Sequence, residues 1–224
     1  MLVKSGVTNV YLIKGKEGYL LIDCGSNFAK VDKQLSKNKI FWNDIKFILI
    51  THHHSDHVNA LGQVLAKTEA SIILHKDEVK PLETGKLDRE VMPLNRRTKL
   101  LMGLIALSMP KKIKLRNRDV ILESDSDFLR NFGINGTIIE TPGHTIGSLS
   151  LLMDNGDAYV GDAAMNFMKF LGLKKRPMIA EDYNKVYESW EKLLNSGAKQ
   201  IFPSHGDPFS AEELSKRLAE FWIR

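Results

Sequence analysis

At 224 residues, with 43% hydrophobic and 26% charged side chains, the chain can bury a full core as one α/β domain, though length alone also allows two, and disorder is not its default. No apolar run reaches the roughly 20 residues of a bilayer-crossing helix, and the one cysteine, Cys24, excludes an internal disulfide; with no basic-then-apolar leader, a cytoplasmic location is expected. The formal charge is +5 but uneven: eleven Lys or Arg stand against three acids between Lys80 and Arg118, a local excess suited to steering an anion, and no nucleic-acid partner is expected.

Residues 7–14 and 19–23 are β-rich runs separated by Gly15-Lys16-Glu17-Gly18, which reads as a hairpin. A surface helix is expected over 27–39, capped by Ser26 or Asn27, with Phe28, Val31 and Leu35 on its apolar face. Residues 46–50 read as a buried strand and 58–67 as a helix. The loop between them holds Thr51-His52-His53-His54-Ser55-Asp56-His57, four of the seven histidines within six positions. Loops at strand ends are where sites are built.

The loop has the spacing His-x-His-x-Asp-His. If it is extended at its start, His52 and His54 share a side and one metal can take both, while Asp56 and His57 begin the helix and face a second. Imidazole and carboxylate ligands suit zinc, iron or manganese. A solvated polar loop is the bland alternative.

A strand at 71–74 closes a βαβαβ half. Residues 76–118 break the rhythm and read as a basic, apolar helical insertion in a domain spanning 1–224. Its centre, 100–109, is ten residues without charge. As a helix it would serve as a lid or pocket wall over the site, with a plain core helix and a membrane-surface or partner contact as alternatives. Strands follow at 119–122, 137–141, 148–153, 158–160 and 200–203, with helices at 182–195 and 211–222. His144, Asp162 and His205 each sit just after a predicted strand and next to glycine. Strand ends from one edge of a layered sheet would bring all three to one cleft.

Together the pieces Asn-Val-Tyr-Leu-Ile, Leu-Ile-Asp23-Cys-Gly, Thr-His52-His-His54-Ser-Asp56-His57, Thr-Pro-Gly-His144-Thr, Val-Gly-Asp162 and Pro-Ser-His205-Gly resemble the metallo-β-lactamase-fold hydrolase superfamily, in its glyoxalase II and lactonase-like branch. The resemblance implies an αββα sandwich, two mixed sheets face to face with helices outside. It implies two zinc ions per chain, with iron or manganese as substitutes: His52, His54 and His144 on one, Asp56, His57 and His205 on the other, Asp162 bridging. The activity it implies is hydrolysis of a small ester, thioester or lactone by a metal-bridging hydroxide, with Asp56 as catalytic proton shuttle. The substrate is expected to be a small molecule with apolar and anionic parts. A metal-dependent phosphodiesterase and a mononuclear iron dioxygenase of the same fold are the alternatives.

Asp23 resembles a residue that orients a ligand histidine, against a capping or turn role. His53 is a spacer expected to point away from the metals, His75 a structural residue and Cys24 a small packed one. Asp162 stands where antibiotic-destroying lactamases lack a bridging carboxylate, which argues against a β-lactamase. Lactonases carry a tyrosine three residues past the bridge, and here that position is Met165, so Tyr183 or Tyr187 would have to reach in.

Overall fold

The computed structural model describes residues 1–86, 89–104 and 111–222. Strands β1 (Leu2–Ser5), β2 (Thr8–Lys14) and β3 (Tyr19–Ile22) form an antiparallel meander. Helix α1 (Phe28–Lys37) then crosses to β4 (Ile45–Leu49), parallel to β3. The Asn27 side chain accepts from the backbone N–H of Lys30, fixing the start of α1.

The helix expected over 58–67 is broken into α2 (Ser55–Val58) and α3 (Leu61–Leu65). The reason is tertiary. The carbonyl of His57 accepts from the N–H groups of Cys24 and Gly25, and the N–H of Ala60 donates to the Gly25 carbonyl, so the strand-end loop takes bonds that a continuous helix would keep.

Strand β5 (Ser71–His75) follows parallel to β4. Helix α4 (Lys76–Thr84), the short β6 (Met92–Pro93) and helix α5 (Arg96–Leu104) precede β7 (Val120–Leu122), which is parallel to β5. Residues 105–109 of the expected lid segment 100–109 lie outside the described residues. The first sheet runs β1-β2-β3-β4-β5-β7.

Strands β8 (Gly136–Glu140), β9 (Leu149–Met153) and β10 (Asp157–Tyr159) open the second half. After β11 (Ile179–Ala180), which pairs with β6, come α6 (Tyr183–Asn195), β12 (Gln200–Phe202), β13 (Phe209–Ser210) and α7 (Ala211–Trp222). The second sheet runs β13-β12-β10-β9-β8, mixed because β10 and β12 are parallel.

Alternation along the strands explains the layering. Tyr11, Ile13, Leu20, Ile22, Leu49 and Ile73 from the first sheet meet Ile138, Leu149, Leu151 and Tyr159 from the second in one buried cluster. Their neighbours Val10, Leu12, Leu21, Ile48 and Ile72 face outward onto Val31 and Leu35 of α1 and Leu61 and Val64 of α3. On the far side Ile139, Leu152 and Ile201 pack under Trp190, Leu193, Leu214 and Leu218 of α6 and α7. Strands buried on both faces read as continuous apolar runs, which is why they were visible in the sequence. The architecture is the expected αββα sandwich. No helix among the described residues is long and apolar enough to cross a membrane.

Candidate metal centre

Four strands end at the same place: β4 runs into His52–His57, and the chain carries His144 after β8, Asp162 after β10 and His205 after β12. Three groups of ligand atoms converge there, His52 with His54 and His144, His52 with His57 and Asp162, and Asp56 with His57 and His205, each within 4.8 Å. In the first, His144 Nε2 lies 3.1 Å from His52 Nε2 and 2.9 Å from His54 Nδ1. In the last, Asp56 Oδ2 lies 3.0 Å from His205 Nε2 and 3.6 Å from His57 Nε2. Asp162 stands between them, Oδ2 at 3.6 Å from His144 and 3.4 Å from His205, Oδ1 at 3.6 Å from His57. All seven predicted site residues therefore meet in one cleft.

The donor set fits metal binding. Ligands held tetrahedrally at about 2.0 Å stand about 3.3 Å apart, close to the spacings here. Several are too long for hydrogen bonds, and among the described residues His57 Nε2 and Asp162 Oδ1 are buried without a hydrogen-bond partner, a deficit coordination would relieve.

The other faces of these side chains are fixed. Asp23 Oδ2 pairs with His57 Nδ1 at 2.7 Å and accepts from the Thr51 hydroxyl at 2.8 Å, while Oδ1 accepts from the Thr51 N–H at 2.9 Å. Asp23 is held at φ 58° to do so, the kind of local strain that collects at functional sites. The expected orienting contact to a histidine is present. His144 Nδ1 faces the Ile179 carbonyl at 2.8 Å and His205 Nδ1 the Val7 carbonyl at 3.2 Å. The Thr8 hydroxyl donates to Asp56 Oδ2 at 3.2 Å.

Protonation divides the cleft. Burial, reinforced by neighbouring rings, holds His52 and His54 well below the ordinary imidazole range, and burial also lowers His144. Burial acts the same way on His57 and His205, but the nearby carboxylates outweigh it, so His57 lies well above the ordinary range and His205 is pushed up to about 10. At Asp56 and Asp162 burial pushes upward and is outweighed by these two imidazoles, leaving both carboxyls below the usual range.

The residues read as structural behave so. His53 turns from the cluster to Glu78. His75 caps α4 by accepting from the Asp77 N–H and faces Glu140 Oε1 at 2.9 Å. Cys24 is buried, which raises its thiol well above its usual value. The tyrosine expectation is not met by the contacts: Tyr183 Oη donates to the carbonyls of Pro177 and Met92, and the Tyr187 ring packs on Trp190 and Phe221. Glu78 and Thr8 were missed, because neither carries a local spacing signal.

A family model for the metallo-beta-lactamase superfamily matches residues 3–205. The chain is 30% identical to the probable metallo-hydrolase MJ0888 of Methanocaldococcus jannaschii, over 89% of this chain and 88% of that one. It is 27% identical to the probable metallo-hydrolase YflN of Bacillus subtilis, over 96% and 86%. Its fold is similar to that of TTHA1623, solved in a di-iron-bound form, with a TM-score of 0.65, 20% identity and 96% of each chain covered. The chain belongs to the metallo-beta-lactamase superfamily and is a metal-dependent hydrolase.

Proposed function

We propose that the chain hydrolyses a small ester, thioester or lactone with two metal ions, zinc by default, held by His52, His54 and His144 on one side, Asp56, His57 and His205 on the other, and Asp162 between. The observation that carries this is the position of Asp162, a 5% exposed carboxylate whose two oxygens face histidines of both groups. When bound, the ions supply an acidified water as nucleophile and Lewis-acid polarisation of the substrate's oxygen.

The chain's own residues do the rest. Asp162 fixes the spacing of the two groups. Asp56 has a side chain 35% exposed, against 0% for His57 and 5% for Asp162, so it can pass a proton between the cleft and the leaving group while Thr8 holds one oxygen in place. For the anionic part of the substrate, a cavity of about 270 Å³ is lined by Phe167, Lys169, Lys175 and Arg217 among others; the Phe167 ring is 5.8 Å from that of His205. In the basic insertion Arg116 and Arg118 are paired with Asp119 and Glu69, and in that cavity Lys175 and Arg217 are paired with Glu213 and Glu220, so an anion would compete with carboxylates at either place.

The test is a panel of activated esters, thioesters, lactones and a phosphodiester with zinc-loaded protein and its Asp162→Ala variant. Turnover of an acyl substrate that the variant lacks, with its fold intact by circular dichroism, is expected. Turnover of the phosphodiester alone, or undiminished turnover in the variant, would overturn the reading.

A further inference from the structure

Glu78 lies in α4, at the start of the insertion, and is 1% exposed. A buried carboxylate is costly unless its oxygens are bonded, and these are. Oε2 accepts from the His53 N–H at 2.8 Å and pairs with His53 Nδ1, and Oε1 accepts from the Thr145 hydroxyl at 2.8 Å. His53 lies between His52 and His54, and Thr145 directly follows His144. The carboxylate therefore joins the two loops that carry the three-histidine group.

The loop around His144 is fixed against it. Thr145 Oγ1 also faces Ser148 Oγ at 2.8 Å, and Ser148 Oγ accepts from the Thr145 N–H at 3.1 Å. A Cβ at Gly147 would stand 2.6 Å from Glu78 Oε1 and 2.8 Å from its Cγ, so the backbone approaches the glutamate as closely as glycine allows. Burial pushes the Glu78 carboxyl up, but the bonds from His53 and Thr145 outweigh it and keep it below its usual value. The group with Asp56, His57 and His205 is braced by Asp23 and Thr8 rather than by Glu78, although Asp23 also reaches His52 through the Thr51 hydroxyl, 3.1 Å from His52 Nδ1.

We infer that Glu78 is a positioning residue for the three-histidine half of the centre, clamping the 52–54 loop to the 144–148 loop so that three ring nitrogens meet around one ion. It sets the affinity of that half without touching the ion, and leaves the other half unaffected. The inference rests on the two-metal reading. It also gives the insertion a role at the site independent of any lid.

The experiment is a zinc titration of metal-free protein against a competing chelator, with elemental analysis after desalting, on wild type, Glu78→Ala, Glu78→Gln and Thr145→Val. Wild type should hold two ions. In Glu78→Ala one class should weaken about 10–100-fold, the usual effect of losing such a support, while the other keeps its affinity. Glu78→Gln should recover most of the loss, since an amide can accept from His53 and donate to the Thr145 hydroxyl. Thr145→Val, which preserves side-chain shape, should fall between and carries the test if Glu78→Ala does not fold. Two ions at wild-type affinity in the folded variants, or equal weakening of both classes, would overturn the clamp while leaving the two-metal reading intact. A wild-type chain holding fewer than two ions would overturn that reading and the inference with it.

Discussion

His52 and His205 share one cleft yet titrate in opposite directions, because burial is reinforced by neighbouring imidazoles at the first and outweighed by carboxylates at the second. In the metal-free chain His205 carries a proton, raised from about 6.5 to about 10. A raised folded value stabilises fully below the ordinary one and is lost as pH climbs through the folded one. Thermal denaturation of metal-free protein should therefore show stability falling between about pH 6.5 and about 10. Zinc binding at pH 8 should release protons, because the ion displaces them. A flat stability profile together with zinc uptake that releases no proton would contradict this charge state. The ligand positions were legible because four of them lie in one short spacing and the others follow strands beside glycine. Glu78 and Thr8 were not, because their partners lie 25, 67 and 48 positions away and a lone Glu or Thr has no pattern.

Strand β1 was also invisible: it is four residues with alternating burial at the edge of the sheet, too short to separate from a tail. The break between α2 and α3 could not be read either, since its cause is a tertiary bond to Cys24 and Gly25 rather than a local residue preference. The turn after β12 shows the opposite case, where glycine is required. Gly206 has φ +93°, and a Cβ there would stand 2.0 Å from the Asn166 carbonyl oxygen. The backbone on both sides is tied in, with the Asn9 amide donating to the carbonyls of Pro203 and Gly206. Gly206→Ala should cost more than about 1 kcal/mol of stability, from the left-handed conformation alone, and should weaken zinc binding by moving His205. Urea denaturation and a zinc titration check this, and a variant unchanged in both would contradict the tight approach.

At the scale of the whole molecule, two mixed sheets bury a central layer between them and each buries a second layer under helices. That stacking sends the ends of β4, β8, β10 and β12 to one edge. Continuous apolar runs made the strands and the first βαβαβ half readable from the sequence, the sandwich itself came from the family resemblance, and the apolar centre of the insertion left its role open. On the proposed two-metal reading, the centre at that edge holds one ion among His52, His54 and His144 and one among Asp56, His57 and His205, with Asp162 between. The most direct measurement is the metal content of the purified chain, by elemental analysis before and after zinc reconstitution: two ions per chain are predicted, and a protein that saturates at one ion, or takes up none, would contradict the account.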